Sequence, residues 1–169
     1  MNRLLLLIAL MAISVSAFSS DGFYPENKAL SQLQKALKNK DLELGDCIDL
    51  SDELAEGRNL VAYRFTYPGE AKQWYAVFTE SKGRYEMFDY LVVINPKGEI
   101  ETVKVLKYRS EHGGEIASSK WLSQFEHYSG GDLYYEEEIS AISGATISAM
   151  SITRDIPKVV RIIQSHSNE

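Results

Sequence analysis

Residues 84–109 read RYEMFDYLVVINPKGEIETVKVLKYR, and the fold can be read outward from them. The first part ends in Leu91-Val92-Val93-Ile94, which is apolar on both faces, as a strand in the interior of a sheet must be. Asn95-Pro96-Lys97-Gly98 then sets Pro second and Gly fourth, the arrangement a type I turn prefers. From Glu99 to Arg109 the chain returns extended, with Ile100, Val103 and Val105 available to a core. Two neighbouring strands joined by a tight turn pair antiparallel. Upstream, Ser81-Lys82-Gly83 predicts a turn and residues 72–79 a strand. Pro68-Gly69 predicts a break, and residues 59–67 a half-buried strand in which Val61, Tyr63, Phe65 and Tyr67 alternate with Ala62, Arg64 and Thr66. Three or four such strands in succession make a meander.

Helical spacing flanks this block. Pro25-Glu26 predicts a helix start, and Leu30, Leu33 and Leu37 share one face. Lys28, Lys35, Lys38 and Lys40 load the other face and the C-terminal end, where cations suit the helix dipole. Residues 41–58 are acidic and carry Gly45 and Gly57, which predicts a loop or a short irregular element. Beyond Arg109, residues 110–116 are too polar and glycine-rich for a strand. Trp121, Leu122 and Phe125 predict a short helix over 119–125. Ile152, Ile156, Val159 and Ile163 predict a longer one starting near Ser148, which Pro157 should kink or split near Asp155. Strands followed by helices argue for an α+β fold, an antiparallel meander with flanking helices in a single compact domain.

Composition narrows the function. The chain has 169 residues and a net charge of −6, a poor match for a nucleic-acid binder, which needs a basic face for phosphates. Residues 1–17 read as a signal peptide: Met-Asn-Arg supplies positive charge, Leu4 to Val15 is apolar, and Val15-Ser16-Ala17 fits signal-peptidase cleavage. The apolar run is short for a membrane span, which needs about 20 residues. The expectation is an exported, periplasmic or extracytoplasmic protein that does not span the membrane once the leader is cut. Cys47 is the only cysteine, which excludes an intrachain disulfide and cysteine-rich metal sites. His112, His127 and His166 lie too far apart for a helical metal pair, and the first two read as polar loop or edge residues.

Residues 140–148 read SAISGATIS. Gly144 removes the Cβ that would hold a ligand off the backbone, and Ala145 adds little bulk. A helix starting just beyond turns its unpaired N–H groups and positive dipole end toward this loop, which suits phosphate. Thr146 and Ser148 add hydroxyls. The alternative on these residues alone is a tight turn with a Ser/Thr cap.

The stretch Ile142-Ser143-Gly144-Ala145-Thr146-Ile147-Ser148 resembles the flavinylation motif of the FMN-binding domain family, as in the flavin subunits of the sodium-pumping NADH:quinone reductase and Rnf complexes. Residues 95–100, 111–116 and 121–125 resemble the family's turn, its glycine–glutamate stretch and the approach to the motif, so the similarity covers about 85–160. It implies FMN held by a phosphoester on Thr146, made from FAD by a separate Mg-dependent flavin transferase, with Ser143, Gly144, Ala145 and Ser148 around it. Gly113, Gly114, Glu115 and Trp121, with Tyr85 and Tyr90, are the candidates beside the ring. Where the family motif carries Asp, this chain has Ser140. The implied division is 1–17 leader, 18–80 N-terminal helix and first strands, 81–165 FMN-binding domain and 166–169 tail. The implied role is an electron carrier or subunit of an oxidoreductase system, served by a redox partner protein. A flavin-free adaptor on the same fold is the alternative.

Overall fold

The computed structural model describes residues 23–54 and 57–167; the expected leader lies outside them. Helix α1 (Glu26–Leu37) is followed by five strands, β1 (Glu43–Asp49), β2 (Leu60–Thr66), β3 (Trp74–Lys82), β4 (Met87–Ile94) and β5 (Ile100–Lys107). They form one antiparallel sheet in the order β1-β2-β3-β4-β5, a pure meander. Short α2 (Ser119–Leu122) runs into a 3-10 turn at Ser123–Phe125, and long α3 (Thr146–Ser167) follows. The α+β class and the meander are as expected.

Alternation along the strands sends side chains to two separate cores. Val61, Tyr63, Phe65, Ala76, Phe78, Leu91 and Val93 pack under α1 with Tyr24, Ala29 and Leu33. Leu60, Ala62, Val77, Tyr90, Val92 and Ile94 pack under α3 and α2 with Ile152, Ile156, Val159, Val160 and Ile163. The sheet is thus covered on both faces, and β2 is buried on both rather than half-buried. Its polar-looking alternation came from small Ala62, which takes the inner face beneath α3. Burying a Val, Leu or Ile side chain is worth about 1.5–3 kcal/mol, so these two layers carry the fold.

Three expectations need correction. Residues 43–49 are a strand, not a loop. β1 is an edge strand with three acids among its seven residues and no buried position, with a register shift between Leu44 and Cys47, and it offers no apolar period to read. Ser81 and Lys82 extend β3, so the turn tightens onto Gly83, whose N–H donates to the Glu86 carbonyl at 2.9 Å. Helix α3 starts at Thr146 and runs unbroken through Pro157. The proline ring costs about 3 kcal/mol in a helix interior, but five buried apolar residues on one stripe outweigh it.

Candidate functional site

The site forms where β5, the following loop and the start of α3 meet. α3 begins directly after Gly144-Ala145. Ala145 has no side-chain acceptor, so it cannot cap the first-turn N–H groups of Thr146, Ile147 and Ser148, which keep their affinity for an anion. Its methyl is buried, and its carbonyl accepts from the Ala149 N–H at 2.9 Å, which seats the first turn.

Two glycines shape the approach. Gly144 has φ 85, and a Cβ there would stand 3.0–3.1 Å from the carboxyl atoms of Glu115. Gly113 has φ 94, and a Cβ there would stand 2.4 Å from the Tyr108 hydroxyl. Both positions favour glycine by conformation and by space. Tyr108 ties the pieces together: its hydroxyl donates to the His112 carbonyl at 3.0 Å and lies 3.1 Å from Ser148 Oγ. With the Tyr108 proton so used, Ser148 donates to Tyr108.

Thr146 is exposed at the head of α3, between two cavities. The smaller, about 220 Å³, is lined by Arg84, Tyr108, His112, Gly113 and residues 144–148. A guanidinium, a hydroxyl and a free helix N-terminus make a donor set suited to phosphate. The larger, about 680 Å³, runs along α3 past Met150, Arg154, Lys158 and Arg161, with Tyr134, Tyr135, Asp132, Glu136 and Glu137 on its other wall. That size falls within the range of small-molecule sites, about 300–1,000 Å³. Tyr134 lies 3.4 Å from Asp132, whose charge raises its phenol above the ordinary value. Exposed Ile147, Met150 and Tyr134 leave an apolar rim around Thr146. The residues present therefore fit a phosphate joined to a flat aromatic group.

The other candidates divide. Gly144, Ala145, Thr146 and Ser148 come together at the small cavity, and Glu115 stands against Gly144. Gly114 faces open space, and neither cavity is lined by Gly114, Ser143 or Trp121. Trp121 is buried against Phe125, and its indole N–H donates to the Ser140 carbonyl at 2.7 Å. The Ser140 N–H donates to Gln124 Oε1 at 2.8 Å, so both backbone groups of Ser140 pin the strap leading into the motif to the 119–125 segment. Tyr90 is wholly buried in the core and cannot wall a pocket; burial drives its phenol well above the ordinary value. Tyr85 is 71% exposed, with the Arg84 guanidinium over its ring at 5.3 Å.

Sequence reading missed Arg84, His112 as a cavity wall, Tyr108 and the whole larger groove. Arg84 carries no local signal. For the groove a signal exists: Met150, Arg154, Lys158 and Arg161 recur at i, i+4, i+8 and i+11, on a face of α3 distinct from the Ile152 stripe.

No curated protein matches the chain. Residues 83–160 match the model of the FMN-binding domain, a span running from the turn before β4 to the middle of α3 and enclosing both cavities' shared residue, Thr146. This match supports an FMN-binding domain over residues 83–160, with FMN as its cofactor.

Proposed function

We infer that this protein is an exported electron carrier that holds FMN through a phosphoester on Thr146. The observation that carries the reading is the position of that hydroxyl, exposed at an uncapped helix N-terminus and shared by a small polar cavity and a larger aromatic groove. Arg84 and the first-turn N–H groups of α3 would hold the phosphate oxygens. Tyr134, Tyr135 and Met150 offer apolar surface to the ring, and Arg154 a cation beside it. When bound, the flavin accepts and returns one or two electrons. The protein supplies position and excludes water on one side. Thr146 is an attachment point and not an acid or base.

Attachment would be a group transfer from FAD in which Thr146 Oγ gives up its proton to solvent and takes the FMN phosphate, with AMP as the leaving group. A Mg-dependent flavin transferase would serve this step, and the pinned strap at Ser140 would present the loop to it. Export is supported by the apolar run at residues 4–15, and a separate redox partner by the absence of haem or iron–sulfur motifs in the sequence. Among the described residues no helix is long and apolar enough to cross a membrane.

The test is intact-mass spectrometry of protein incubated with a flavin transferase, FAD and Mg²⁺. The wild type should gain one FMN, and Thr146→Val should gain none. An unmodified mass in both, with colourless protein, would leave the adaptor reading in its place.

A further inference from the structure

The basic residues of α1 make a pole that the flavin reading does not use. Between residues 26 and 40 stand Lys28, Lys35, Lys38 and Lys40 against Glu26 alone, in a chain of net charge −6. All four lysines are exposed, and none joins an ion pair among the described residues. Three of them are brought together by the backbone. Lys38 ends α1 in the left-handed conformation, φ 53, with its N–H on the Gln34 carbonyl. Gln34 Nε2 donates to the carbonyls of Lys40 and Leu42 at 2.9 and 3.1 Å, which folds the chain back along the helix. Lys35, Lys38 and Lys40 then line one open cavity of about 530 Å³ with Ser31 and Gln34, and no acid lines it. The negative end of a helix offsets roughly half a charge, well short of three ammonium groups.

A lipid surface fits as the counter-charge: three exposed lysines around one open cavity, with no acid among its lining residues, complement the broad negative face of an anionic bilayer. The sheet also divides the molecule: α1 packs on one face and α3, headed by Thr146, on the other. Contact through α1 leaves the groove beside Thr146 open to a partner.

We propose that the lysine pole at the C-terminal end of α1 seats this protein on an anionic phospholipid surface. The full chain is sedimented with phosphatidylcholine vesicles with and without phosphatidylglycerol, at low salt. Each lysine near such a surface is worth ~1 kcal/mol, about fivefold in partitioning. K35Q/K38Q/K40Q should therefore lower binding to the anionic vesicles about 100-fold, toward the level on neutral ones. K72Q/K97Q/K120Q, which changes net charge equally at exposed lysines elsewhere, should bind as the wild type does. Three results would overturn the proposal: no preference of the wild type for anionic vesicles, as an acidic protein partner would give; a preference that survives K35Q/K38Q/K40Q; or an equal loss in the control. Protein with and without flavin should behave alike, so the outcome is independent of Thr146.

Discussion

At the scale of single residues, position decides what each group can do. Thr146 and Thr153 lie on the same helix, yet Thr146 is exposed between two cavities while Thr153 is 1% exposed and lines only the larger one. Tyr24 shows the same effect on a titration. Its ring stacks on Phe78 with centroids 4.6 Å apart, and its carbonyl accepts from the Tyr63 hydroxyl at 2.7 Å. Burial foremost, then the nearby Asp89 carboxylate, push its phenol from 10.0 up to about 12. The folded state therefore keeps this proton at pH values where the unfolded chain has lost it. The stabilisation is fully present below pH 10 and drains away as pH rises through about 12. Tyr24→Phe keeps the ring and the carbonyl, so urea midpoints measured from pH 9 upward should fall less steeply for the variant. Equal slopes would show that Tyr24 does not contribute.

At the scale of elements, α3 does two tasks at once. Its apolar stripe closes the larger core, and its first turn carries the candidate site. Ile156, fully buried next to Pro157, is where the two compete, since the stripe must hold a helix that the proline weakens. Ile156→Ala should cost about 2–5 kcal/mol in chemical denaturation. A loss under 1 kcal/mol would mean that α3 relaxes around the cavity and that the stripe does not keep the helix continuous. α1 contributes its buried face to the second core and its lysines to solvent, the ordinary division of an amphipathic helix.

At the scale of the whole molecule, one buried polar network sets α3 on the sheet. Asp155 accepts from Arg58 at 2.5 Å and from Ser81 Oγ at 2.6 Å, with both charged side chains under a tenth exposed. Ser81 Oγ also meets Ser151 Oγ at 2.8 Å, which in turn accepts from the Lys82 N–H at 3.1 Å. The loop before β2, the end of β3 and the middle of α3 are thereby joined in one register. Removing one member of a buried pair costs ~3–5 kcal/mol. Asp155→Ala should lose about that much stability and should also lower the extent of FMN attachment, because Thr146 rides on the same helix. A variant as stable as the wild type would assign the register to apolar packing alone.

The parts legible in the sequence were those written in local periods. Residues 84–109 carry period two and a proline–glycine turn, so the paired strands and their interior place could be read directly, and the stripe at Ile152, Ile156, Val159 and Ile163 carries the helical period. The glycine turn before Thr146 was legible too, because Gly144 and its small neighbours answer a local need, while its link to FMN came from the resemblance to the family motif. β1 was not, since an edge strand is held by backbone bonds to β2 that no side-chain pattern records. The continuity of α3 through Pro157 was decided by burial against a sheet formed earlier in the chain. Arg84, Tyr108 and Gly113 reach the head of α3 only because β4, β5 and the loop beyond them fold back to it. Sequence alone thus determined the paired strands of residues 84–109, the helical stripe of α3 and the glycine turn before Thr146, since short-range sterics and spacing dictate them. Tertiary structure alone decided which distant side chains complete the cavities, since that depends on contacts between residues far apart along the chain.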